Sequence, residues 1–149
     1  MITYFSENTK FPAIPKRKTT AWLKNIAQQQ HKKIGDVNFI FCTDEKILEI
    51  NRQYLQHDYF TDIITFDYSK PEVFRPKGGK KNVISGDIFI SLETVKSNAA
   101  QYNQQFETEL YRVLIHGILH LCGQKDTTET DRAEMTRKEN EALSALADM

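Results

Sequence analysis

The chain has 149 residues, 40% hydrophobic and 27% charged, which suits one soluble globular domain spanning 1–149 with a single buried core. Twenty basic and twenty acidic side chains cancel, excluding a uniformly basic nucleic-acid coat and an acidic disordered chain. No apolar run approaches the ~20 residues of a membrane span, and the first twenty residues carry no signal-peptide core, so a cytoplasmic protein without membrane contact is expected. The two cysteines, Cys42 and Cys122, form no disulfide framework, which agrees with a reducing compartment.

In chain order, MITYFSE reads as a first strand. Lys16–Ile34 has helical periodicity, with Trp22, Leu23, Ile26 and Ala27 on one stripe. Val37–Thr43 is rich in β-branched and aromatic residues and predicts a buried strand. Asp44 is expected to cap a short helix that ends near Tyr54. Ile63–Tyr68 and Gly86–Ser91 read as two more strands. They are separated by a loop, 69–82, with two prolines and a Gly-Gly pair. Helices are expected at about 92–104, 106–122 and 131–147. Strands and helices alternate only in part, so the fold class is α+β: a small mixed sheet of about four strands with about five helices.

The neutral total conceals a division. Residues 1–81 carry an excess of five positive charges and residues 82–149 the reverse. Lys70, Arg75, Lys77, Lys80 and Lys81 crowd the 69–82 loop, where the only acid is Glu72. Such a segment is either a solvated loop or a track for a polyanion. Lys77, Lys80 and Lys81 are the candidate RNA-binding residues, with Tyr59, Tyr68 and Phe74 as candidate stacking faces.

The strongest chemical signal lies in LYRVLIHGILHLCGQKD, residues 110–126. His116 and His120, four apart on a helix, project from one face about a turn apart, so both imidazoles can reach one ion. Gly123 can end the helix in a left-handed conformation, and the reversal can bring Asp126 back as a third ligand. Two imidazoles and a carboxylate suit one Zn²⁺ with an open position for water, as in zincin-like helices; Mn²⁺ also fits the harder oxygen donor. The spacing follows the metzincin pattern with Gly117 where a protease keeps its glutamate base. The competing explanation is two core histidines bonded to backbone carbonyls. Cys122, about 200° around the helix from His120, reads as core rather than ligand.

HGILHLCGQKD resembles the HGxLHLxGxDH signature of the YbeY family of bacterial rRNA maturation factors. INRQYLQHDYFTDIITFDY (50–68), SGDIFIS (85–91) and AEMTRKENEAL (133–143) resemble three further blocks of that family, in the same order. The resemblance implies a zinc-dependent, single-strand-specific endoribonuclease that matures the 3′ end of small-subunit ribosomal RNA. It implies single-stranded RNA and the small ribosomal subunit with its proteins as partners. By position, His116 and His120 are the first two ligands, and the family's closing His falls on Asp126. An aspartate there makes the site one charge more negative. The family's Arg of the 50–68 block falls on Leu55, leaving Arg52 and His57 as weak candidates for its catalytic role. Two other classes remain open: an RNA-binding ribosome-assembly module with a mainly structural zinc, and a metallopeptidase, which Gly117 disfavours.

Overall fold

The structure is a computed structural model that describes residues 1–55, 62–68 and 82–149. Four strands, β1 (Ile2–Ser6), β2 (Lys33–Cys42), β3 (Ile63–Asp67) and β4 (Val83–Ser91), form one sheet in the order β1-β2-β4-β3. β1, β2 and β4 run parallel, and β3 pairs antiparallel with β4. Among the described residues, five α-helices accompany them: α1 (Lys16–Gln29), α2 (Asp44–Ile50), α3 (Leu92–Gln101), α4 (Phe106–Leu121) and α5 (Glu129–Ala147). This is the α+β mixed sheet that the alternation of patterns predicts. Among the described residues no helix is long and apolar enough to cross a membrane.

Successive strand residues face opposite sides of the sheet. Val37, Phe39 and Phe41 of β2 and Ile84, Ile88 and Ile90 of β4 bury one side in the main core, with Trp22, Leu23 and Ile26 of α1 and Leu110, Leu114 and Ile118 of α4. Trp22 donates its indole N–H to the Ala142 carbonyl at 2.8 Å, tying α1 to α5 inside that core. The other side carries a smaller cluster, Cys42, Ile47, Ile50 and Ile64, beneath α2.

Several boundaries differ from the sequence expectation. α1 stops at Gln29, because His31 takes a positive φ of 61° and Lys32 closes back on the Ala27 carbonyl. β2 therefore begins at Lys33, running through an irregularity between Ile34 and Val37, and β4 begins opposite it at Val83. Asp44 does not cap α2. Thr43 does, its hydroxyl accepting from the Lys46 N–H at 3.2 Å, while the Asp44 carboxylate takes the hydroxyls of Ser91 and Thr94 at the start of α3. After Ile50 the chain continues as a π-helical turn over Asn51–Leu55.

Candidate metal centre

α4 carries the site because two residues near its end serve the backbone rather than the chemistry. At Gly117 an added Cβ would lie 3.0–3.1 Å from Ile88 and Ile63 side-chain atoms, so the helix rests directly on the sheet there. A glutamate at 117 would be driven into that packing, which is why the position offers no proton acceptor. At Gly123 the backbone turns at φ 101°. The Gly123 N–H reaches the His120 carbonyl at 3.0 Å and the Gln124 N–H the Leu119 carbonyl at 2.9 Å, which is the Schellman closure. The reversal returns the chain across the end of its own helix.

The return brings the three predicted residues together. Asp126 Oδ2 stands 3.5 Å from His116 Nε2 and 3.3 Å from His120 Nε2, and all three donor atoms fall within 4.8 Å of one another. Hydrogen-bonded nitrogen and oxygen usually close to about 2.7–3.2 Å. Donors of a four-coordinate Zn²⁺, each about 2.0–2.2 Å from it, stand roughly 3.3–3.6 Å apart. The two histidine–aspartate distances fall in the second range. All three residues are partly buried, and the group could hold a metal ion.

A neighbouring carboxylate fixes the His116 ring. Glu139 of α5 lies 2.6 Å from His116 Nδ1, which leaves Nε2 directed at Asp126. Glu139 is itself buried and receives Arg112 Nη1 at 3.0 Å, while Arg112 Nη2 donates to Asn140 at 2.8 Å. The Gln124 backbone favours the protonated form of the His120 ring. A carboxylate behind a ligating imidazole fixes its tautomer and raises its basicity. Burial of the His116 ring opposes its protonation, but the hydrogen bond and charge of Glu139, helped by Asp126 and Asp62, outweigh it and the pKa rises. His120 moves down, through burial and then the neighbouring His116 charge, against the pull of Asp126. Burial pushes the Cys122 thiol up to about 11, so it stays protonated and packs against the core instead of offering a thiolate.

Beside the histidines opens a cleft of about 270 Å³. His116 and Asp126 form one wall, and Asp62, Glu109 and Glu139 add carboxylates to it. Arg112 and Arg132 are the cations that line it among the described residues. Glu109 is buried, and its pKa is raised by that burial, with Arg112 opposing and Asp62 and Glu139 adding.

A sequence profile described as Endoribonuclease YbeY matches residues 4–147. The chain belongs to the YbeY family. The Endoribonuclease YbeY of Bacteroides fragilis is 54% identical over 143 residues, covering 96% of each chain. That of Phocaeicola vulgatus is 51% identical over 147 residues, covering 99% of each. The solution structure of TM1509 from Thermotoga maritima matches with a TM-score of 0.65 at 27% identity, covering 98% of this chain and 89% of that one.

Against that family frame, the other predicted residues fall differently. Arg52 is exposed on the π-helical turn and lines a shallow groove with Glu45, Leu48, Glu49 and Gln53, apart from the residues that line the histidine cleft. Leu55 closes that turn. His57, Lys77, Lys80 and Lys81 lie outside the described residues, as do Tyr59 and Phe74; Tyr68 is exposed and donates its hydroxyl to Asp87 at 2.7 Å. Sequence reasoning missed Glu139, Arg112, Glu109 and Arg132. Glu139 had a signal: it shares the stripe of Met135 and Ala142, an acid on the apolar face of α5.

Proposed function

We propose that this protein is a metal-dependent, single-strand-specific endoribonuclease of the cytoplasm, acting in the 3′-end maturation of small-subunit ribosomal RNA. One observation carries the reading: two imidazoles and a carboxylate converge within 4.8 Å of one another, two of the three residues lining a cleft. The relatives named Endoribonuclease YbeY, matched over nearly their whole length, supply the substrate class and reaction.

His116, His120 and Asp126 would hold one Zn²⁺, with Mn²⁺ the alternative that a carboxylate donor admits. When bound, the ion supplies Lewis acidity toward a phosphoryl oxygen and acidifies water. The chain's own residues do the rest. Glu139 keeps His116 in one tautomer and one orientation, and Arg112 holds Glu139 in place. The Gly123 reversal sets the height of Asp126 over the two rings. The cleft beside His116 and Asp126 would receive the RNA strand. Three protein donors also suit a working site better than a four-ligand structural one.

The test joins metal analysis to cleavage. Purified protein is expected to hold one metal ion per chain, and Asp126→Ala to lose it. Zinc-loaded protein should cut single-stranded RNA and leave casein intact, while His120→Ala cuts neither. Casein cleavage would establish a peptidase; binding to small subunits without turnover would establish an assembly module. Protein that takes up neither zinc nor manganese would overturn the reading.

A further inference from the structure

The cleft next to the histidines presents an electrostatic problem to any RNA. Among the described residues, four carboxylates, from Asp62, Glu109, Asp126 and Glu139, line it against two guanidinium groups. A phosphodiester entering such a space is repelled unless a cation meets it. The two arginines are not equivalent. Arg112 is committed on both terminal nitrogens, to Glu139 at 3.0 Å and Asn140 at 2.8 Å, and its task is to brace the His116 partner.

Arg132 differs. It stands on the first turn of α5, exposed at the rim of the cleft. Its Nη1 donates to the Thr127 carbonyl at 3.2 Å, an anchor that holds the guanidinium beside the Asp126 turn. Among the described residues no carboxylate lies within 4.0 Å of it. A planar fork held by one hydrogen bond, in the cleft that His116 and Asp126 also line, suits the way arginine grips phosphate.

We propose that Arg132 binds a backbone phosphate of the RNA strand and positions it in the cleft against His116 and Asp126. This rests on the endoribonuclease reading for the identity of the strand. The competing role for Arg132 is purely structural, as a strap across the 122–128 turn through Thr127.

The test uses the full-length protein, metal-free and zinc-loaded, with a short fluorescent single-stranded RNA whose sugars are 2′-O-methylated. Arg132→Ala should weaken anisotropy-detected binding about tenfold or more, the weight of a charge-assisted hydrogen bond. The slope of log affinity against log salt should shrink by about 0.7, one single-strand phosphate contact. Arg132→Lys should regain most of the salt slope and only part of the affinity, since lysine keeps the charge and loses the fork. Zinc affinity and melting temperature should stay at wild-type values, and on cleavable RNA the KM should rise more than kcat falls. Unchanged affinity and slope in Arg132→Ala would overturn the proposal, as would zinc loss without any change in metal-free RNA binding, the mark of a strap. Wild-type protein that does not bind the strand would overturn it too. If the wild type cuts RNA and Arg132 proves irrelevant, the function stands and this assignment falls. If Arg132-dependent binding persists in a protein that cuts no RNA, the reverse holds.

Discussion

The two faces of α4 answer to different demands. On one, Leu110, Leu114, Gly117 and Leu121 are buried against the sheet, so side-chain volume decides what is tolerated. On the other, Glu109, Arg112 and His116 line the cleft and His120 stands a turn further on beside Asp126, so charge and donor atoms decide. A helix with both can hold ligands to a fraction of an ångström, because the apolar face fixes what the polar face presents. The contrast predicts a separation of effects: changes to the packed face should cost fold, and changes to the cleft face should cost metal.

The largest expected effect is on the cleft face. His120→Ala should abolish stoichiometric metal while the metal-free protein melts close to wild type, since the ring is partly exposed and leaves no large cavity. Leu114→Ala should do the opposite. Leu114 is fully buried, and its truncation should cost about 2–5 kcal/mol in denaturant unfolding. Whatever fraction remains folded should still bind one metal ion. If Leu114→Ala instead released metal from well-folded protein, the division between the faces would be wrong.

Glu139→Gln should move both readouts and so tests where the division ends. Glu139 belongs to α5 yet contacts both Arg112 and His116 of α4. Glutamine keeps the shape and loses the charge. Metal affinity should fall about 10- to 100-fold, the usual loss when a ligating histidine's partner is changed. Stability of the metal-free protein should fall by about 1–3 kcal/mol, because two charge-assisted bonds weaken at a buried carboxylate. Competition with a chromophoric chelator reads the first, and urea unfolding the second.

That division also explains what the amino-acid sequence made legible. His116, His120, Gly123 and Asp126 occupy eleven consecutive positions, and helical geometry with one glycine reversal suffices to gather them. Glu139 reaches His116 across 23 residues, through the packing of α5 on α4, and Arg132 joins the cleft by the same route. No local period encodes that meeting; an acid on α5's apolar stripe was its only trace. The fold class was legible from element types, while the end of α1 was not. Gln28–Lys33 is polar and helix-compatible, and only the positive φ at His31 ends the helix there. At Asp44 a good cap residue was outbid by tertiary partners: Ser91 and Thr94 lie far along the chain, and Thr43 took the capping role.

The smallest expected effect isolates conformation from space. Gly123 has open surroundings, since an added Cβ meets nothing within 4 Å, so any cost of substitution comes from its φ of 101°. Gly123→Ala should destabilise by about 1–2 kcal/mol, the penalty for a β-carbon in a left-handed backbone. Gly123→Asn should cost less, because asparagine tolerates positive φ, as Asn8, Asn82 and Asn103 already do in this chain. Metal affinity is the sharper readout. Asp126 lies three residues beyond the reversal, so relaxing the alanine's strain by rotating the turn would draw its carboxylate away from the two rings. The expected order of zinc affinity is therefore Gly, then Asn, then Ala. Equal affinities with unequal stabilities would mean that Asp126 is held by the α5 side of the turn, through Thr127 and Thr128, and that the glycine serves folding alone.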